Sequence, residues 1–127
     1  MEGYRLPFEE RFQLLIQSGQ ASEESTEVAR WVLGVVESNY DISLTEDLGA
    51  SLANHIAISI KRLLNGEVLL GAPEALWEEL EDQPQEVALA IFIVGEMEKA
   101  LQIPLPRDEA GFIAIHLCKI KVETGLS

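Results

Sequence analysis

The sequence contains few of the residues from which most metal and catalytic sites are built. Among 127 residues it has one cysteine, Cys118, and two histidines, His55 and His116. One cysteine excludes an intrachain disulfide, and no two of these three residues have the i, i+4 spacing of a helical metal site. A glycine-rich phosphate loop, a nucleophile elbow and a paired-acid arrangement are also missing. We therefore predict no metal, no cofactor and no catalytic residue.

Basic residues and long apolar runs are scarce as well. Nine Lys and Arg stand against 22 Asp and Glu, and the formal net charge is −13. This charge repels phosphate backbones and anionic membranes, so we predict no direct nucleic-acid binding and no membrane binding. Apolar runs such as VALAIFIVG reach about half the ~20 residues that span a bilayer. The N-terminus does not follow the order of a signal peptide, and we expect a cytoplasmic protein.

What is present is the pattern of an all-α protein. Hydrophobic residues make up 47% of the chain and aromatic residues 6%, so the core is mainly aliphatic. Apolar residues recur with the helical period, which predicts a short helix over 8–17 and five further helices. These five end near Ser38, Leu64, Leu80, Leu101 and Val122. We expect an N-terminal helical segment (1–20) and one domain (21–127).

Two of these helices carry further signals. Ser43 and Glu46 have the spacing of a capping box, which predicts the start of the helix that Gly66 closes with a positive φ. The helix over 84–101 is apolar on two sides, and we assign its residues to one face (Val87, Ile91, Val94) and another (Ala90, Phe92, Ile93). One face can be buried within the monomer and the other against a partner, which predicts a homodimer.

His55 lies on the edge of a buried helical stripe. The 3.6-residue period places Ser51, His55, Ile58, Ser59 and Arg62 on one face. Two hydroxyl groups therefore lie one turn on either side of the imidazole, and a guanidinium lies two turns further on, ~10.5 Å along the axis.

His116 lies in one of the most apolar stretches of the chain. Glu109, Phe112, Ile113 and His116 follow at i, i+3, i+4 and i+7, so a carboxylate lies two turns before the imidazole on the same side.

Four interpretations of the two histidines follow from the residues. Each can be a core or boundary histidine whose ring is satisfied by a carbonyl or carboxylate. A metal site is a second interpretation, although Cys118 lies at i+2 from His116 and points elsewhere. A small helical enzyme could use the pair as acid and base. Finally, a partly neutral imidazole can accept a phosphoryl group, whose charge suits nearby hydroxyls and an arginine.

A resemblance favours the last interpretation. LANHIAISIKRLLNG (52–66) resembles the first histidine motif of the PRD family, the phosphotransferase-system regulation domains of bacterial transcriptional antiterminators and activators. IPLPRDEAGFIAIHLCKIK (103–121) resembles the second motif, in which a proline-containing loop leads into a helix with an acid, a glycine, an aromatic and a histidine.

The resemblance implies a compact five-helix bundle, here with an extra N-terminal helix, that forms homodimers. In this family the histidines accept phosphate from the phosphocarrier protein HPr or from a sugar permease IIB component, and phosphorylation switches an output partner. His55 and His116 match the acceptors, with Arg62 and Glu109 as flanking motif residues. Ser51, Asn54 and Ser59 are candidate supporting residues, and we further hypothesise that both imidazoles share Arg62.

The sequence departs from the family pattern beside the first histidine. Asn54 stands where the family often has an acid, and a neutral amide orients an imidazole without stabilising its cation. We expect a stand-alone regulatory module that is not an enzyme. The alternatives are a module that only dimerises or docks without phosphorylation, and a small helical enzyme using His55 and His116.

Overall fold

Every regular element that the computed structural model describes, over residues 8–69 and 71–126, is an α-helix. The helices are α1 (Glu9–Gln17), α2 (Glu23–Tyr40), α3 (Glu46–Leu64), α4 (Glu74–Glu79), α5 (Pro84–Leu101) and α6 (Arg107–Thr124). This confirms the predicted all-α fold class and the number of helices. Within these ranges, no helix combines the length and the apolar composition needed to cross a bilayer.

The chain divides into two compact units, residues 1–68 and 69–127. In the first unit, α2 packs along α3. The aliphatic residues that these two helices bury include Val32, Leu33, Val36, Leu52, Ile56 and Ile60. Helix α2 begins with a reciprocal capping box, in which the Ser22 and Ser25 side chains each accept from the other's backbone N–H. Local capping and apolar periodicity therefore agree about where this helix starts.

Helix α1 is attached to the same unit by apolar and polar contacts. Phe8 and Phe12 are buried, and the Arg30 guanidinium lies 5.1 Å from the centre of the Phe12 ring. Arg30 also pairs with Glu9 at 2.6 Å, and Lys61 Nζ donates to a backbone carbonyl just beyond the end of α1. The boundary that we expected after residue 20 stays a prediction.

In the second unit, α5 packs along α6. The aliphatic residues that these helices bury include Ala90, Ile93, Val94, Met97, Ile113, Ala114, Leu117 and Ile120. A charged pair accompanies this apolar contact, because Lys121 Nζ lies 3.3 Å from Glu86 Oε2.

The short helix α4 is held against the start of α6. The Asp108 carboxylate accepts from the backbone N–H of Ala72 at 2.8 Å and from Trp77 Nε1 at 3.0 Å. The Trp77 ring lies close to the backbone of α6, because a Cβ added at Gly111 would be 2.9 Å from Trp77 Cζ2. Glycine at this position makes the approach of α4 possible.

The predicted start of α3 was wrong by two residues. The N-cap is Thr45, whose side chain accepts from Leu48 N at 3.3 Å, whereas Ser43 lies before the helix. Glu46 is the first residue of the helix rather than its third, so it does not complete a capping box, and its carboxylate binds Arg11 on α1. The residue that the local pattern assigned to the capping box therefore forms a tertiary ion pair instead.

The predicted division of the faces of α5 was also wrong. Val94 is buried with Ala90 and Ile93, while Ile91 and Phe92 are 58% and 53% exposed. At the 3.6-residue period, 90, 93, 94 and 97 lie on one side of the helix and 91 and 92 on the other. The buried face is therefore the one that packs against α6, and the exposed apolar residues are adjacent in sequence.

Candidate functional site

The His55 face of α3 runs along the boundary between the core and solvent. Ser51, one turn before His55, is exposed, whereas Ser59, one turn after it, is buried with 8% of its surface accessible. His55 and Ile58 are half-buried, and Arg62 is exposed at the end of the row. The predicted strip therefore exists on one helix, but Ser59 forms its inner edge and only part of it is open to a ligand.

Arg62 is the last residue of this strip, and its side chain pairs with Glu67 just beyond the end of α3. Its Nε donates to Glu67 Oε1 at 3.0 Å, and both side chains are almost half exposed. Because exposed pairs of this kind contribute at most about 1 kcal/mol, the guanidinium is free to exchange Glu67 for a stronger anion. Arg62 can therefore serve as a cation for a group on the His55 face.

Asn54, next to His55, is bound by an arginine that the sequence analysis did not identify. Arg11 on α1 donates from Nη1 to Asn54 Oδ1 at 3.2 Å, and from Nη2 to Glu46 Oε1 at 2.8 Å. The hydrogen bond to Glu46 raises the pKa of Arg11. Sequence separations of 35 and 43 residues give these contacts no local signal.

His116 lies on α6 in the second unit. Its helix face contains Glu109, which is 2% exposed, and Ile113, which is fully buried, whereas Phe112 and His116 are half-buried. The predicted i, i+3, i+4, i+7 row therefore runs from the buried start of α6 to its half-exposed middle. His55, His116 and Glu109 each interact with a partner in the chain, so none of them is an unsatisfied polar group.

The side chains of the described residues are not arranged to hold a metal ion. Within the two described ranges, no three His, Cys, Asp or Glu residues are grouped so that they could hold a metal ion. Cys118 is half-buried on α6. Burial raises the pKa of its thiol, and the Glu86 carboxylate adds to this effect, so the thiolate that metals require is disfavoured.

The roles assigned to Ser51, Asn54, Ser59, Arg62 and Glu109 stay predictions, as does the assignment of both histidines as phospho-acceptors. The hypothesis that the two imidazoles share Arg62 also stays a prediction.

Comparison with known proteins bears on this pair of histidine helices. The family model of the PRD domain matches residues 32–119, which include both histidines and begin after α1. The transcription antiterminator LicT of Bacillus subtilis (strain 168) is 29% identical over 94 residues, covering 74% of this chain and 33% of LicT. The GlcA/glcB genes antiterminator of Staphylococcus carnosus (strain TM300) is 28% identical over 81 residues, covering 64% and 28%.

The chain thus spans about a third of the length of the curated relatives that it matches. The family match covers more than half of the chain and extends from α2 into α6. The resemblance drawn from the two histidine motifs is therefore confirmed, and the chain belongs to the PRD domain family.

Proposed function

We propose that this chain is a non-enzymatic regulatory module of bacterial sugar-phosphotransferase-linked transcription control. It accepts phosphoryl groups on His55 and His116 and changes its partner contacts in response. One observation carries the proposal: both histidines lie within the family-matched range, at half-buried positions on the edges of their helices. The two relatives named as antiterminators support the link to transcription.

The chemistry requires an imidazole that a donor can reach. A neutral imidazole has a nitrogen lone pair that can attack phosphorus. That nitrogen forms the new P–N bond while the bond between phosphorus and the donor's side chain breaks, and the donor side chain leaves with the electron pair. The proposed donors are HPr or a sugar permease IIB component. A net charge of −13 suits a donor with a basic docking surface.

Phosphohistidine needs positive charge and hydrogen-bond donors around it. A phosphoryl group brings a charge of about −1.5 to −2 and three acceptor oxygens. Burying such a group without cations is costly, so the half-exposed edge of α3 near Arg62 is a better location than the core. In this proposal Ser51 and Arg62 interact with the phosphoryl group on His55. Glu109 orients the helix face that carries His116.

The switch that we propose acts on a homodimer and on an output protein. Ile91 and Phe92 expose apolar surface on α5, which a second copy could cover. The same exposed pair would also serve the alternative function, a module that dimerises or docks without phosphorylation. The proposal includes a cytoplasmic location, as the sequence predicts.

The test is phosphoryl transfer to the intact chain. The wild type, His55→Ala, His116→Ala and the double variant are incubated with a phosphocarrier charged from phosphoenolpyruvate. Intact mass is then measured under alkaline conditions that preserve phosphohistidine. We expect two phosphoryl groups on the wild type, one on each single variant and none on the double variant. An unlabelled wild type with an intact dimer would favour the docking module instead.

A further inference from the structure

The His55 site receives a positive charge from outside the family-matched range. That range begins at residue 32, whereas Arg11 lies on α1 and donates to Asn54, the residue before His55, at 3.2 Å. Residues 54 and 55 are consecutive on α3, so Arg11 contacts the turn of the helix that carries the candidate acceptor.

Glu46 holds the guanidinium in this position. Arg11 makes a forked contact with it, with Nε and Nη2 lying 3.1 and 2.8 Å from the same carboxylate oxygen. The third donor, Nη1, is thereby directed at Asn54 Oδ1. Because a guanidinium has no acceptor, the amide atom that faces it must be the oxygen, and the Asn54 NH2 group points to the other side.

The identity of residue 54 decides the charge of this group of three side chains. With asparagine, the positive charge of Arg11 and the negative charge of Glu46 cancel. An acid at residue 54 would give two carboxylates around one guanidinium and a net negative charge next to His55. An incoming phosphoryl group is itself negative, so the neutral arrangement favours its approach and its retention.

The Arg11–Glu46 pair is also weak enough for Arg11 to exchange Glu46 for a stronger anion. Its side chains are 32% and 45% exposed, and pairs with this exposure are easily rearranged. A phosphoryl group on the neighbouring imidazole is a stronger anion than a carboxylate and offers more acceptor oxygens.

We propose that Arg11 supplies positive charge to the His55 phosphoryl site, which makes α1 a working part of that site. The inference rests on the proposed function in that His55 is taken as a phospho-acceptor. Asn54 presents its N–H donors on the side away from Arg11, and Arg11 turns from Glu46 towards the phosphoryl group once it is attached.

The chain offers a matched control in Arg30. Arg30→Gln removes the same charge and breaks an ion pair that also holds α1, the one to Glu9 at 2.6 Å. The difference between Arg11→Gln and Arg30→Gln therefore isolates the position beside Asn54. Asn54→Asp is a second test, because it shifts the local charge by the same amount as Arg11→Gln without removing a bond to α1.

The donor in this experiment is phosphoramidate, a small molecule that needs no docking surface. The imidazole nitrogen forms a P–N bond as the phosphoramidate P–N bond breaks, and ammonia leaves with the electron pair. Initial rates of labelling at His55 are measured by site-resolved peptide mass analysis in a His116→Ala background, at low and high salt.

We expect labelling of His55 to fall about fivefold in Arg11→Gln and in Asn54→Asp, with little change in Arg30→Gln. Arg11→Lys should recover most of the rate, and high salt should shrink the deficit, which a merely structural role of Arg11 would not produce. Equal rates in Arg11→Gln and Arg30→Gln, or no labelling of His55 in the His116→Ala background, would overturn the inference. If the phosphocarrier fails to label the chain but phosphoramidate shows the Arg11 dependence, the proposed donor is wrong and the role of Arg11 stands.

Discussion

At the scale of single residues, the second unit contains a charged pair, Glu86 and Lys121, that lies largely out of solvent. Glu86 is 3% exposed in the first turn of α5, and Lys121 lies 3.3 Å from it in the last turn of α6. Each charge lies at the favourable end of its own helix, the acid near an N-terminus and the base near a C-terminus. Burying a charge is costly, so the ion pair with Lys121 helps to stabilise the buried Glu86 carboxylate.

Lys121→Met should therefore lower the free energy of unfolding by about 3 kcal/mol, because it leaves a buried carboxylate without its lysine. Urea unfolding followed by circular dichroism measures the change. The double variant Glu86→Leu with Lys121→Met should regain much of the loss, since an apolar pair can replace a buried ion pair. A single variant as stable as the wild type would show that the buried Glu86 carboxylate does not depend on Lys121.

Cys118 gives a second prediction at this scale. Burial, followed by the nearby Glu86 carboxylate, raises the pKa of its thiol, so the thiol stays protonated at neutral and mildly alkaline pH. Alkylation by iodoacetamide should be slower than for the urea-unfolded chain at the same pH, and its rate should level off at a higher pH. Equal pH profiles for folded and unfolded chains would contradict this.

At the scale of elements, α4 depends on one carboxylate at the start of α6. Hydrogen bonds from the Ala72 N–H and then from Trp77 lower the pKa of Asp108. A carboxyl whose folded pKa lies below its unfolded value stabilises the fold above the unfolded value, near 4, and loses this contribution as pH falls through the folded value.

Asp108→Asn should thus reduce stability at neutral pH and flatten the acid side of its pH dependence. Trp77 fluorescence in a Trp31→Phe background reports on α4 directly, because Asp108 accepts from the Trp77 indole N–H. The fluorescence transition should begin at a higher pH in the variant. An unchanged acid transition would mean that other carboxyls hold α4.

Two helical glycines, one at the contact between α4 and α6 and one outside it, give a matched pair of substitutions. Gly111→Ala should destabilise the chain by about 1 to 3 kcal/mol, because its Cβ would lie 2.9 Å from Trp77 Cζ2 and 3.0 Å from Leu76 Cδ2. Gly34→Ala in α2 meets no neighbouring atom within 4 Å and should stabilise by about 0.5 to 1 kcal/mol. Thermal unfolding of both variants checks the opposite signs, and equal shifts would contradict the packing argument.

At the scale of the whole molecule, net charge opposes self-association while apolar surface favours it. Two copies bring together two charges of −13, whereas Ile91 and Phe92 remain more than half exposed. Salt screens the repulsion and leaves the hydrophobic contribution in place. The predicted homodimer should therefore tighten as ionic strength rises.

Sedimentation equilibrium at low and high salt measures this dependence. Phe92→Glu should weaken association at least tenfold, since it adds a charge to the proposed contact. Val122→Glu is the control, because it places the same charge at another apolar side chain that is 78% exposed. Equal weakening by both substitutions would remove α5 from the dimer contact, and a monomer at both salts would remove the dimer.

The sequence by itself determined the all-α class, the approximate extent of the helices and the PRD motifs around His55 and His116. These depend on helical periodicity and on turn chemistry, which act over a few residues. Gly66, for example, has φ +81 just after α3, as a residue without a side chain readily allows. The PRD motifs are read in the same way, because each is a continuous run of sequence.

Only the tertiary structure decided which side of α5 is buried, that Thr45 rather than Ser43 caps α3, and that Arg11 reaches Asn54. The first depends on packing against α6, since both sides of α5 are apolar enough to be buried. The contact of Arg11 with Asn54 accompanies an ion pair between residues 11 and 46, and no pattern within a helix indicates where a distant charge will lie. Contacts between residues far apart in sequence arise from the packing of helices, and that packing selects among arrangements that local sequence leaves equivalent.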